Sequence, residues 1–527
     1  MWTRRRFLLT AAASAASLTV PLSAGRALAR EEPDLVLRLT AAPDRISIWR
    51  GTGTEVLRYR AEVLRGRQDA VRPSSSYLGP TLELKRGERV RIHFVNRTGD
   101  PSIVHWHGMI VPDRADGHPR HAVGPGGEYV YEFTVRNPAG TYLYHPHPHG
   151  FTGKQVYYGL AGLLIVRERE ERAYGLPGPE HELSLVIQDR RVGRDNQFVF
   201  KRTMMDDMNG VLGDTVLVNG VPDAAFKVSP RSYRLRLANV SNARIYKLAW
   251  SDGRPMRVIA TDNGLLSSAE GVQTRPYVVL APFERVELLE DFGERRGGAE
   301  VALVSRAFSG LEMMDGMMGG MMGGMMGRGM GGMMGGMRGP GQGDELLVAR
   351  FTVSTEAHAR SEALRLPEPV RIPHEGKHAI YTQLAFRHMR GFFNGRRFEM
   401  EAVADDERLP LNEGTVWTFS NDGPGMPMPH PIHIHGVRFR VLERSGGDIP
   451  EELREGLIDA GYKDTFLIFP DERVRVHVMP TEPGLFMYHC HNLEHEDGGM
   501  MRNCLFGENT AALIRNKRNV DGKPATA

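Results

Sequence analysis

Ten of the chain's 20 histidines stand in four tight groups, two in its first third and two in its last. They are His105-Trp106-His107, His145-Pro146-His147, His430-Pro431-Ile432-His433-Ile434-His435, and His489-Cys490-His491 with His495. Between Phe151 and Ala357 the only histidine is His181. A site that uses all four groups requires the two ends of the chain to fold onto each other, with the middle as a separate, metal-free unit. On a strand, His-x-His puts both imidazoles on one face, because side chains repeat every two residues. One such pair is weak evidence, since strand histidines are common at surfaces and in cores. Four groups in a chain otherwise sparing of histidine point to metal, and eight imidazoles beyond a cysteine-containing set exceed what one ion can use.

The rest of the chain reads as short strands punctuated by Gly, Pro and Asn. Tyr129, Tyr131, Phe133 and Val135 alternate with Val130, Glu132 and Thr134; Tyr233, Leu235 and Leu237 alternate with arginines; Val474, Val476 and Val478 alternate with Arg473, Arg475 and His477. Period-2 patterning of this density predicts β-sandwiches. A turn, an alternating strand and a closing Asn recur at 79–96, 218–239 and 411–421, so one sandwich is expected to repeat. With 527 residues, the chain is too long for a single core. The expected class is all-β: three consecutive Greek-key β-sandwich domains over 30–170, 171–358 and 359–527. From Met313 to Met337 the chain is almost wholly Met and Gly, with twelve methionines and pairs recurring as Met-Met-Gly-Gly, so residues 311–343 are expected to be a non-globular insert in the second domain.

Residues 1–29 are set aside as an address label. Thr3-Arg4-Arg5-Arg6-Phe7-Leu8 resembles the twin-arginine export signal, the apolar stretch that follows is too short to span a bilayer stably, and Ala27-Leu28-Ala29 fits a small-x-small cleavage site. The alternative is a short N-terminal anchor. Removing the segment changes a formal charge of +3 to −1, because it carries four arginines and no acid (67 − 4 = 63 bases against 64 acids). Such a balance does not suggest a nucleic-acid partner. The mature chain is expected to be extracytoplasmic and not membrane-spanning. Two cysteines exclude a disulfide framework.

Cys490 with His430 and His495, plus Met500, makes the two-histidine, one-thiolate set with a weak thioether that suits a blue-copper electron-transfer site. Zinc is the runner-up, though it has no need of Met500 and leaves the other histidines unexplained. Alternation then links two centres: Cys490 points one way on its strand, while His489 and His491 point the other.

These four motifs, together with Tyr142 to Gly150, Gly159-Leu160-Ala161-Gly162-Leu163 and Asp214 to Gly220, resemble the multicopper oxidases, within them the bacterial three-domain copper-efflux and laccase-like branch. The resemblance covers most of the mature chain. It implies cupredoxin-like domains and four coppers. His430, Cys490, His495 and axial Met500 would hold the type 1 ion, and His105 and His433 the type 2 ion. His107, His145 and His491 would hold one type 3 ion, with His147, His435 and His489 holding the other. It further implies four one-electron oxidations of a reductant, with O2 reduced to water. Asp116 matches the family's carboxylate beside the cluster and Glu496 a proton donor, in keeping with a reaction that consumes four protons.

The methionine-rich insert reads either as a flexible glycine loop or as a lure for Cu(I), since thioethers are soft ligands. Met313 and Asp315 are substrate-copper candidates, with Met426 and Met428 extending a thioether path to His430. The relatives often have Asp where this chain has Met426. His149 is expected beside the ligands but not among them, His118 and His121 are expected to be exposed, His477 is placed on a polar strand face, and Cys504 is expected to be a buried free thiol. The leading expectation is an exported oxidase of Cu(I) that also oxidises phenols. A general laccase, a ferroxidase and a copper-sequestering binding protein are the alternatives; a structural protein that has lost its copper is disfavoured by the intact ligand set.

Overall fold

The computed structural model describes residues 32–309, 339–357, 362–370, 376, 378–447 and 449–507. The export segment and the insert residues Met313 and Asp315 lie outside them. The strands form three pairs of sheets in succession. In the first pair, a four-stranded sheet ordered Thr54–Arg65, Leu35–Ile46, Arg89–Asn96, Glu128–Thr134 faces a five-stranded sheet that ends on Gly140–Pro146 and Val104–His107. Leu35–Ile46 runs antiparallel to Thr54–Arg65 but parallel to Arg89–Asn96. Non-sequential neighbours of this kind mark Greek-key connections. The second pair lies within residues 182–353 and the third within 378–506. Cupredoxin-like β-sandwich architecture is thus repeated three times.

Alternation explains each core. Leu35, Leu37 and Leu39 are buried while their neighbours are not, and they pack with Ile92, Phe94, Trp106 and Tyr144. In the third sandwich Trp417 stacks on Phe419 at 5.0 Å and meets Tyr488 edge-on at 4.9 Å. Such pairs each contribute about 0.5–1.5 kcal/mol beyond the area they bury. Val474, Val476 and Val478 face this core as expected, and His477, on the side that bears exposed Arg473 and Arg475, is itself buried. The strand Ser232–Asn239 departs further from simple alternation, because all eight residues are buried.

That departure has an electrostatic cause. Arg234 and Arg236 meet Glu287 of the adjacent strand Arg285–Asp291, which accepts from Arg234 Nε at 2.6 Å, from Arg236 Nη1 at 2.5 Å and, across the boundary, from Thr141 Oγ1 of the first sandwich at 2.6 Å. Glu182 adds a second bridge, accepting from Arg167 Nη1 at 2.7 Å and Arg236 Nε at 3.1 Å. The first and second sandwiches are therefore joined by buried charges, each of which depends on its partner. Replacing Glu287 by Leu strands two buried guanidinium groups and is expected to cost about 3–5 kcal/mol. Calorimetry checks this; an unfolding midpoint equal to that of the unaltered chain rules the network out as a structural tie.

Candidate metal centre

Strand parity sorts the histidines before any of them meets a metal. On Val104–His107, His105 lies directly opposite His145 of Gly140–Pro146, and His107 shares their face. On Gly484–Cys490, His489 lies opposite His433, whereas Cys490 lies opposite Ile432 and joins the interior of the third sandwich. His430, two residues before Ile432, shares the face of Cys490. Two clusters result, one inside the third sandwich and one on its outer face against the first.

In the first cluster Cys490 Sγ is 3.4 Å from His430 Nδ1 and 3.6 Å from His495 Nδ1. His495, on the short helix Leu493–Asp497, donates from Nε2 to the Met208 carbonyl at 2.7 Å, which leaves Nδ1 bare toward the thiol. Met500 is fully buried and packed so closely on Gly391 that a Cβ there would lie 2.3 Å from its Sδ. Burial raises the Cys490 thiol and pushes His495 down to about 4.

The second cluster gathers the other eight histidines, all buried. His105–His107–His145, His105–His433–His435 and His147–His435–His489 each bring their donor atoms within 4.8 Å of one another. His491 joins His107 and His145, with ring centroids at 5.0 and 5.3 Å. The contacts at the opposite nitrogens decide which atoms face inward. His105 Nδ1 donates to Asp116 O at 2.6 Å, His433 Nδ1 to Asp464 O at 2.8 Å, and His435 Nδ1 to Asp116 Oδ2 at 2.7 Å. Their Nε2 atoms are therefore bare, yet His105 and His433 Nε2 stand 3.3 Å apart and His435 and His489 Nε2 3.0 Å apart.

Opposed lone pairs at this distance repel unless a cation lies between them. Two imidazole nitrogens each about 2.0 Å from one ion at a tetrahedral angle are about 3.3 Å apart, so the spacing fits. His107 Nδ1 and His145 Nε2, also aimed inward, have no hydrogen-bond partner among the described residues. Metal is the group this arrangement accommodates, and the thiolate–thioether pair at the first cluster selects copper.

Asp116 and Glu496 both reach the second cluster. Glu496 Oε1 lies 3.5 Å from His147 Nε2 and Oε2 lies 3.3 Å from His489 Nδ1. Burial raises both carboxyls well above the usual range. His149 is exposed against Phe398, and Cys504 is a buried free thiol. Two expectations need correction. His118 is fully buried, because its loop is pinned between sandwiches: Nδ1 accepts from Arg120 N, and Nε2 lies 3.0 Å from Asn503 Oδ1. His121 is half-buried against Tyr129. Met428 is buried with Met208 and Phe386, and Met426 packs on them.

The middle sandwich contributes more than its lack of histidine groups suggests. Asp464 accepts both terminal nitrogens of Arg285 at 2.7 Å and His107 Nε2 at 3.0 Å. Burial alone would raise Asp464, but the Arg285 guanidinium outweighs it and holds the carboxyl below its ordinary value. Phe283, two residues earlier, has a left-handed backbone (φ +64°), which costs on the order of 1–3 kcal/mol for a side chain of this kind. None of Asp464, Arg285, Phe283 and Met208 stands in a motif or a periodic pattern that could have revealed it.

Neutral buried imidazoles give the copper-free protein a defined acid response. Burial lowers all ten; His147 lies at about 3 and His433 at about 4, against about 6.5 in the unfolded chain. Between those values the unfolded state binds more protons, so stability is present above about 6.5 and is lost as pH falls toward 4. Eight carboxyls that burial raises in the fold, Asp116 and Glu496 among them, act in the opposite sense and make the fall smaller than ten imidazoles alone would give. The unfolding midpoint of chelator-treated protein should drop steadily across that window; a flat midpoint contradicts neutral burial.

Sequence profiles described as multicopper oxidase match residues 56–171 and 373–509. The chain is 31% identical over 432 residues to the multicopper oxidase mco of Staphylococcus haemolyticus, covering 81% of this chain and 82% of that one. It is 26% identical to a laccase of Bacillus subtilis, covering 80% and 87% respectively. The crystal structure of the multicopper oxidase McoA from Aquifex aeolicus superposes with a TM-score of 0.73 at 30% identity, covering 90% of this chain and 97% of that one. With its thiolate-centred cluster, its eight-histidine cluster and these relatives, the chain belongs to the multicopper oxidases.

Proposed function

We propose that this protein is an exported four-copper oxidase that takes electrons from Cu(I), with smaller phenols as secondary donors, and serves copper tolerance outside the cytoplasm. His430, Cys490, His495 and Met500 hold the electron-accepting ion; His105 with His433, His107 with His145 and His491, and His147 with His435 and His489 hold the other three. Bound copper supplies one-electron redox chemistry, so that four Cu(I), one O2 and four protons become four Cu(II) and two waters. The observation that carries this reading is the position of Cys490, whose thiol belongs to one cluster while its chain neighbours His489 and His491 belong to the other.

The chain's own groups perform the remaining work. Asp116 orients His435 and, through its carbonyl, His105. Glu496, raised by burial and within 3.5 Å of His147 and 3.3 Å of His489, holds a proton at the cluster edge. Cu(I) is favoured as the donor by a cavity of about 910 Å3 beside His495, lined by Met205, Met208 and Met428 and by Gly339 to Gln342, where the methionine-rich insert ends. Thioethers are soft ligands that suit Cu(I) better than Fe(II). Met313 and Asp315 remain proposed substrate-copper ligands together with Met426 and Met428. Export rests on the twin-arginine-like segment alone; among the described residues no helix is long and apolar enough to cross a membrane.

Steady-state rates with Cu(I), Fe(II) and a small phenol test the donor. Deleting Met313–Met337 should lower Cu(I) oxidation and raise phenol oxidation; unchanged Cu(I) kinetics remove the insert from the function. Asp116→Asn should slow O2 consumption by about 10–100-fold and leave the blue absorption intact. Normal turnover in that variant excludes Asp116 from the mechanism. Copper bound without O2 consumption would identify a copper store instead.

A further inference from the structure

All ten histidines come from the first and third sandwiches, but the wall behind His107, His145 and His491 belongs to the second. Phe283 lies in the turn that leads into the strand Arg285–Asp291 and is fully buried. Its ring lies flat on His491, with centroids 3.9 Å apart and planes inclined by 24°. The same ring meets His145 edge-on at 4.6 Å and lies 5.7 Å from His107. Among the described residues no other non-histidine ring pairs with these three.

The three imidazoles are not held alike. His145 Nδ1 donates to the Pro146 carbonyl at 3.0 Å, and His107 Nε2 to Asp464 at 3.0 Å. A metal-binding histidine is ordinarily oriented by a hydrogen bond of this kind at its far nitrogen. His491 has none: both Nδ1 and Nε2 are without a partner among the described residues. Among the described residues no polar group fixes the tilt of that ring, and the surface it rests on is Phe283. Phe283 is itself held by its N–H donating to Asn239 O at 2.7 Å and by its carbonyl accepting from Arg285 Nη1 at 3.1 Å. Arg285 in turn forks the Asp464 carboxylate that fixes His107. One turn of the middle sandwich thus governs one ligand by stacking and a second by a relayed ion pair.

We propose that Phe283 is a positioning residue of the middle sandwich, whose ring sets the orientation of His491 in place of a hydrogen bond and so holds the metal of the His107–His145–His491 set in register with its neighbours. The inference rests on the copper-cluster reading above. It predicts that a flat ring is required at 283, and that apolar volume alone does not suffice.

The test compares the copper-loaded full chain with Phe283→Leu, Phe283→Met and Phe283→Tyr. The readouts are copper per chain, blue absorption, the electron paramagnetic resonance spectrum and the rate of copper loss to a chelator. Leu and Met retain most of the buried volume, so folding should persist, and intact blue absorption confirms it independently. Both are expected to retain copper at this set about tenfold less tightly or worse, and to change the paramagnetic spectrum while the blue absorption stays. Tyr should restore the unaltered behaviour. Leu and Met variants identical to a fully loaded parent in copper count, spectrum and chelator rate overturn the proposal and leave the cluster reading standing. A parent chain that binds no copper at the eight histidines overturns both.

Discussion

Ten imidazoles must be buried without protonation and with their lone pairs turned toward each other, and the architecture is arranged around that requirement. Desolvation keeps them neutral, since a charged imidazole is disfavoured away from water. Orientation is supplied by acceptors at the far nitrogens: the Asp116 carbonyl and carboxylate, the Asp464 carbonyl and carboxylate, and the Pro146 carbonyl. Each fixes a tautomer and leaves the inward nitrogen bare. A metal-free cluster is therefore held under electrostatic tension, which bound cations would relieve.

Strand pleating is the device that separates two such clusters by a single residue step along the chain. Because Cys490 pairs with Ile432 and His489 with His433, the thiol enters the third sandwich while the flanking imidazoles leave it. The first sandwich closes the outer cluster with its own pair of strands. The second locks the assembly through Glu287 on Thr141, Glu182 on Arg167 and the Arg285–Asp464 ion pair. Buried pairs of this sort add little net stability over apolar packing, but a missing partner is costly. They act here as register pins between domains.

Much of the fold was legible. Alternation in Glu128–Thr134 and Glu472–Val478 reports a half-buried strand, and the His-x-His spacing reports parity. The same reasoning failed where both faces of a strand are covered. Ser232–Asn239 alternates arginine with leucine and still buries every residue, because the flanking strands supply Glu182 and Glu287 and Thr141 and Arg167 of the first sandwich cover them. His118 was misjudged for a related reason: a Gly/Pro loop reads as solvated until a second body is laid over it.

Residue order by itself determined the chemical inventory: four histidine groups, a thiolate and a thioether at its heart, and the strand parity that assigns each to a face. These are local properties, set by side-chain chemistry and the two-residue repeat of a strand. Only tertiary structure decided which imidazoles meet, which nitrogen of each is bare, and that Phe283, Arg285 and Asp464 stand behind them. Those contacts join residues far apart in the chain, through ring faces and ion pairs that leave no periodic trace in the sequence.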